Sequence, residues 1–154
     1  MDDINIRIAV ESDIDALSEL IKRYRGFQGV TQQDIAEIKA FLLERIEKAE
    51  SIVVIAINKA THSIVGFVQL YPVFSTVSLQ RQWLLNDFYV DEDNRNSGIG
   101  SALMEAVKKH FYGEAKGLIL VAEKTNTGAK RFYMKHGWKT DHFDFFWYYF
   151  DANA

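Results

Sequence analysis

The segment Arg95-Asn96-Ser97-Gly98-Ile99-Gly100 sets two glycines at the start of an apolar helical stripe. Glycines beside a helix start leave main-chain N–H groups uncovered, and the helix dipole adds partial positive charge there. A pyrophosphate can dock on such a turn without meeting a Cβ, so the segment reads as a phosphate cradle, although a tight turn before a helix has the same spacing. Two common nucleotide motifs are not completed. A dinucleotide fold wants a small third residue where this chain has Leu103, and a P-loop wants Gly-Lys-Ser/Thr after four spacer residues. Glu123 could imitate a ribose-binding acid, but the strands upstream read as an antiparallel meander, which does not suit a doubly wound sheet.

The elements that position this turn follow from periodicity. Residues 4–10 alternate apolar and polar as a strand does. Ser12 offers an N-cap to a helix carrying Ile14, Leu17, Ile21 and Tyr24 and ending near Gly26; Thr31 and Asp34 repeat the capping pattern before Ile35, Ile38, Leu42 and Ile46. β-Branched runs at 51–58 and 63–71 and the run 83–90 predict three strands. A helix through Ile99, Leu103, Val107 and Phe111 leads to a strand at 118–122, which suggests a parallel crossover. Thr127 can cap a short helix to Lys135 that Gly137 closes, and the aromatic-rich stretch 138–150 supplies the last strands. The order is βααβββαβαββ, an α/β fold with a mixed, mostly antiparallel sheet, a central parallel pair and helices on both faces. Without a linker, repeat or low-complexity tract, 4–150 reads as one domain.

Composition narrows the chemistry. A chain of 154 residues, 48% hydrophobic, can bury roughly 70% of its unfolded surface and needs no disulfide or metal to fold. It has no cysteine, so neither a thiolate nucleophile nor a cysteine zinc site exists, and His62, His110, His136 and His142 lie far apart in the sequence. No metal site is expected. A net charge of −3 without a basic block argues against nucleic acid as a partner. The acidic N-terminus and the lack of a long apolar run place the chain in the cytoplasm, with no membrane as a partner.

Two motifs together resemble the GNAT superfamily of acetyl-CoA-dependent N-acetyltransferases. Arg95-x-x-Gly98-x-Gly100 after the strand LLNDFYV is similar to the family's pyrophosphate-binding motif. The run Asn126-Thr-Gly-Ala129-Lys-Arg-Phe132-Tyr133-Met-Lys-His-Gly137-Trp138 resembles its next motif, with Trp138 at the usual aromatic position. The resemblance implies that main-chain groups of Asn96, Ser97, Gly98, Ile99, Gly100 and Ser101 hold the CoA pyrophosphate, with the Arg95 side chain nearby. It also implies that Phe88, Tyr89 and Val90 pair with the pantetheine arm. Asn126 and Phe132 would contact the cofactor, Tyr133 would stand near its sulfur, and the enzyme would be a homodimer.

The polyamine and diamine branch is similar in LYPVFST and WLLNDFYV, but carries a Glu-Asp pair where this chain has Asn86-Asp87. An amide cannot usefully accept a proton, so either Asp87 works through water or the acceptor is not a polyamine. The loop at 25–34 resembles the family's acceptor-side loop, which assigns Tyr24 and Phe27, with Asn86 and Asp87, to substrate binding. A lysine-like amine is neutral in only about 1 in 2500 molecules at pH 7, a deficit of roughly 4–5 kcal/mol that a base or desolvation must offset. Tyr133 is the expected acid for the departing thiolate, and a main-chain N–H near Val90 the expected oxyanion donor. The expected reaction is direct acetyl transfer to a small primary amine. Alternatives are a peptide, protein-lysine or aminoglycoside acceptor, or an acetyl-CoA-binding sensor without turnover.

Overall fold

A computed structural model describes residues 2–150, which form two compact units dividing after Val121. The first unit is built on a sheet of β1 (Ile4–Ile8), β2 (Ile52–Asn58), β3 (Ile64–Ser75), β4 (Gln80–Val90) and β5 (Leu118–Ile119), in that spatial order. The pairs β1–β2, β2–β3 and β3–β4 are antiparallel and β4–β5 is parallel. This is the expected mixed, mostly antiparallel sheet, except that among the described residues the parallel pair lies at its edge rather than its centre, since no further strand pairs with β5.

Helices cover both faces. On one, α1 (Ile14–Phe27) and α2 (Ile35–Glu47) bury Leu17, Leu20, Ile38 and Leu42 with Val53, Ile55 and Phe67 of β2 and β3. The alternate residues Val54, Ala56, Val68 and Leu70 are buried too, on the face where α3 (Ile99–Phe111) packs its stripe of Leu103, Val107 and Phe111. A sheet buried on both sides explains why β2 and β3 read as continuous apolar runs. Gly66 lets α3 approach: a Cβ there would lie 3.0 Å from Leu103 Cδ1 and 3.1 Å from the Tyr89 carbonyl. Gly66→Val is therefore expected to lower the unfolding free energy by about 1–3 kcal/mol, read as a lower urea midpoint at unchanged slope.

The caps differ from the sequence expectation by a residue or so. Ser12 lies in a 3-10 turn, Glu11–Asp13, and it is the Asp13 carboxylate that accepts from the Val10 N–H at 2.8 Å and from Arg7 at 2.7 and 2.9 Å. The Arg7 guanidinium holds the Asp13 carboxyl below its ordinary range. Asp34 caps α2 through Ala36 N, as expected.

The second unit contains α4 (Thr127–Lys135), capped by Asn126 Oδ1 on Ala129 N at 3.1 Å rather than by Thr127. Gly137 follows at φ +86°, the left-handed position expected of it. The strands expected over 138–150 are a correction: no strand forms there, and the rings of 143–150 are exposed. An aromatic run signals an appetite for burial, but a strand exists only where a neighbouring backbone pairs with it, which composition does not specify. Within this unit Phe145 and Trp147 stack at 6.5 Å, and Tyr148 meets Phe150 edge-on at 5.7 Å. The strand expected at 118–122 is likewise reduced to Leu118–Ile119, the two residues that β4 accompanies.

Candidate active site

Strict alternation would place Trp83, Leu85, Asp87 and Tyr89 on one face of β4. The register prevents this. Leu70 pairs with Leu85 and Gln69 with Asp87, so Asn86 is an extra residue, a β-bulge that switches the face. Before it, Trp83 packs 4.7 Å from Phe111 on the α3 side; after it, Tyr89 packs 5.3 Å from Tyr24 on the α1 side. The bulge delivers Asp87 to the α1–α2 face. There Tyr24 Oη donates to Asp87 Oδ1 at 2.9 Å and Asn86 Nδ2 to Oδ2 at 2.8 Å. Two donors, one per oxygen, fix the carboxylate's orientation and leave further lone pairs on both oxygens.

Asp87 lines a cavity of about 380 Å³ between α1, α2 and β3. α1 contributes Ile21, Tyr24 and Arg25, at i, i+3 and i+4; α2 contributes Glu37, Ile38, Phe41 and Leu42, again one helical face. Phe67, Gln69 and Tyr71 come from alternate positions of β3. Gln69 is 3% exposed, donates from Nε2 to Tyr71 Oη at 3.2 Å, and keeps Oε1 buried without a hydrogen-bond partner. Burial pushes the Tyr71 phenol above its ordinary pKa.

Of the four residues expected at the acceptor, Tyr24 and Asp87 line this cavity and touch each other. Asn86 reaches it only through Asp87, and Phe27 packs 6.2 Å from Tyr89 instead of lining it. Arg25, Glu37, Phe41, Gln69 and Tyr71 were not singled out from sequence. The helical spacing of the first three was legible, but the same spacing marks any core-facing stripe.

The turn ahead of α3 has the backbone a phosphate cradle needs. Asn96 and Gly98 lie at φ +58° and +85°, and Gly98 is the N-cap of a 13-residue helix. Residues 95–98 are exposed, and Ser97 Oγ donates to the Asn94 carbonyl, closing the turn. Two left-handed positions separated by one residue, ahead of a helix, turn N–H groups outward, so these residues fit a pyrophosphate. Arg95 takes a further part. Its Nε donates to the Val90 carbonyl at 2.9 Å, and its guanidinium lies 5.1 Å from the Phe27 ring and 5.4 Å from the Tyr89 ring. It clamps the turn to the end of α1.

β4 continues to Val90, but its parallel pairing with β5 ends at Leu84–Ile119. Among the described residues no strand accompanies that edge beyond this point. Phe88, Tyr89 and Val90 thus occupy the stretch of β4 between the bulge and the cradle.

In the second unit, Phe132 and Tyr133 stand on α4, their rings 5.7 Å apart, and Trp138 lies 5.9 Å from Tyr133. Burial raises the Tyr133 phenol above its ordinary pKa, so it keeps its proton at neutral pH. Asn126 Oδ1 serves as the helix cap. Among the described residues no group of three or more His, Asp and Glu is placed to hold a metal ion, and no helix is long and apolar enough to cross a membrane.

The sequence profile of the Acetyltransferase (GNAT) domain matches residues 48–140, from β2 to just beyond α4. The chain is 37% identical over 139 residues to the uncharacterized N-acetyltransferase YhfO of Bacillus subtilis, covering 90% of this chain and 91% of that one. It is 34% identical over 105 residues to a probable acetyltransferase of Haemophilus influenzae, covering 67% and 70%. The crystal structure of a probable acetyltransferase superposes with a TM-score of 0.89 at 29% identity, covering 96% of this chain and 99% of that one. A mixed sheet with one parallel pair and a glycine-rich start to α3, carried on a sequence that matches the profile, belongs to the GNAT family, and the protein is an acetyl-CoA-dependent N-acetyltransferase.

Proposed function

We propose that residues 4–150 act as one domain that acetylates the primary amine of a small molecule, by direct attack while donor and acceptor are both bound. The observation that carries this reading is the cavity beside Asp87, walled on several sides and presenting an oriented carboxylate. An ammonium is attracted by such a group, and desolvation among apolar walls favours its neutral, nucleophilic form. Acetyl-CoA supplies the acetyl group as a thioester.

The chain's own groups divide the remaining work. N–H groups from Asn96 to Ser101 hold the pyrophosphate, and main-chain groups of Phe88 to Val90 take the pantetheine arm as an added strand; the left-handed turn and the parting of β4 from β5 support this. A main-chain N–H near Val90 stabilises the developing oxyanion. Asp87 takes the amine's proton, directly or through water. Tyr133 gives its proton to the departing sulfur, a role supported by a phenol that burial keeps protonated. Asn126 and Phe132 contact the cofactor, and Tyr24 positions Asp87. The reading takes the enzyme as a cytoplasmic homodimer; its net charge of −3 supports leaving nucleic acid out of its partners.

The test is release of free thiol from acetyl-CoA with a panel of small amines, aminoglycosides and short peptides. The chain has no cysteine, so all thiol signal is CoA's. Release dependent on small amines is expected. Release with peptides alone points to a macromolecular acceptor, and silence with acetyl-CoA bound in calorimetry points to a sensor.

A further inference from the structure

We infer that the acceptor is a primary amine carried on an apolar, ring-sized body, and that polyamines and aminosugars are poor acceptors; this rests on the small-amine reading above. The cavity of about 380 Å³ is of ligand size, and most of the surface it presents is carbon, from five apolar side chains and the rings of two tyrosines. Phe67, Leu42 and Ile38 are buried at 1%, 1% and 5% exposure, and Ile21 and Phe41 extend the apolar wall. The rings of Tyr24 and Tyr71 add flat surface to it.

Charge limits what else can enter. The charged lining groups are Asp87, Glu37 and Arg25, a net charge of −1 that one ammonium balances. A polyamine brings further ammoniums into a wall of Leu42 and Phe67, with Arg25 repelling them. An aminosugar brings many hydroxyls, each needing a partner once desolvated. Among the uncharged lining polar groups, Tyr24 donates to Asp87 and Gln69 to Tyr71, so the hydrogen-bonding capacity left in the wall lies mainly on the charged groups Asp87, Glu37 and Arg25. Gln69 Oε1 is the one uncharged buried acceptor of this lining without a partner, too few for a polyol. A ring-bearing monoamine instead removes apolar surface from water on both sides and places its one charge at Asp87. Phe41 tests the wall without opening the core, because it is 47% exposed.

The experiment compares kcat/KM by thiol release for 2-phenylethylamine, ethylamine, spermidine and kanamycin, with the intact chain and with Phe41→Ala. We expect 2-phenylethylamine to exceed spermidine and kanamycin by on the order of 10²-fold. Phe41→Ala should lower kcat/KM for 2-phenylethylamine about tenfold more than for ethylamine. Faster turnover of spermidine overturns the inference while the small-amine reading stands, and faster turnover of kanamycin overturns both. Equal losses for both monoamines in Phe41→Ala overturn the assignment of this cavity. No turnover of any of the four, with acetyl-CoA bound, overturns both.

Discussion

Tyr133→Phe is expected to lower kcat by about 10²–10⁴-fold while the Kd for acetyl-CoA changes less than about twofold, within the noise of near-isosteric exchange. The substitution removes one oxygen. The ring that packs 5.7 Å from Phe132 and 5.9 Å from Trp138 is retained, so α4 keeps its packing and the loss is chemical rather than structural. A thiolate leaving a tetrahedral centre is costly unless a proton arrives, and a phenol with its pKa raised by burial holds that proton throughout the working range. The sign follows: because burial favours the neutral phenol, loss of the acid requires a pH above the ordinary tyrosine value of about 10. The alkaline limb of kcat assigned to Tyr133 should therefore lie beyond that value. Steady-state kinetics and calorimetry on the same preparation check both halves, and an unchanged kcat would remove Tyr133 as the acid.

Gly98→Val is expected to weaken acetyl-CoA binding at least about 100-fold, the scale of losing several charge-assisted N–H contacts together. Gly98 stands at φ +85°, a conformation that a β-branched residue reaches only with strain. A branched side chain also stands where the phosphate must approach, ahead of the first turn of α3. The strain, of order 1–3 kcal/mol, is small beside the 5–15 kcal/mol stability of ordinary domains, so the variant should remain folded by circular dichroism. Gly98→Ala separates the effects: it shares the backbone strain but carries less bulk, and should bind better than the valine variant. Tight acetyl-CoA binding by Gly98→Val in a folded protein would defeat the cradle assignment.

Asp87 was legible in sequence as a candidate because of its type and its place near the cradle, yet what it touches was not. Alternation along β4 predicts one face for Trp83, Leu85, Asp87 and Tyr89, and only the pairing with β3 reveals that Asn86 is surplus. The departure of Asn86 from the polyamine pattern thus has a structural counterpart. The residue sits in the bulge and donates to the acid beside it, rather than entering the cavity. The motif places the Arg95 side chain near the pyrophosphate, and the structure adds that its guanidinium rests on Phe27 and Tyr89.

By itself the sequence determined the elements and their order up to α4, because helix periodicity, capping residues and β-branched runs act over a few neighbouring positions. It also determined where glycine was needed, at Gly98 and Gly137, since left-handed backbone is a local requirement. The family followed from two such local motifs. Tertiary structure alone decided the bulge, the partners of Asp87 and the composition of the cavity, each of which joins residues distant in the chain: Tyr24 meets Asp87 across 63 positions. It decided, too, that 138–150 forms no strand, because pairing depends on a second backbone and aromatic content does not supply one.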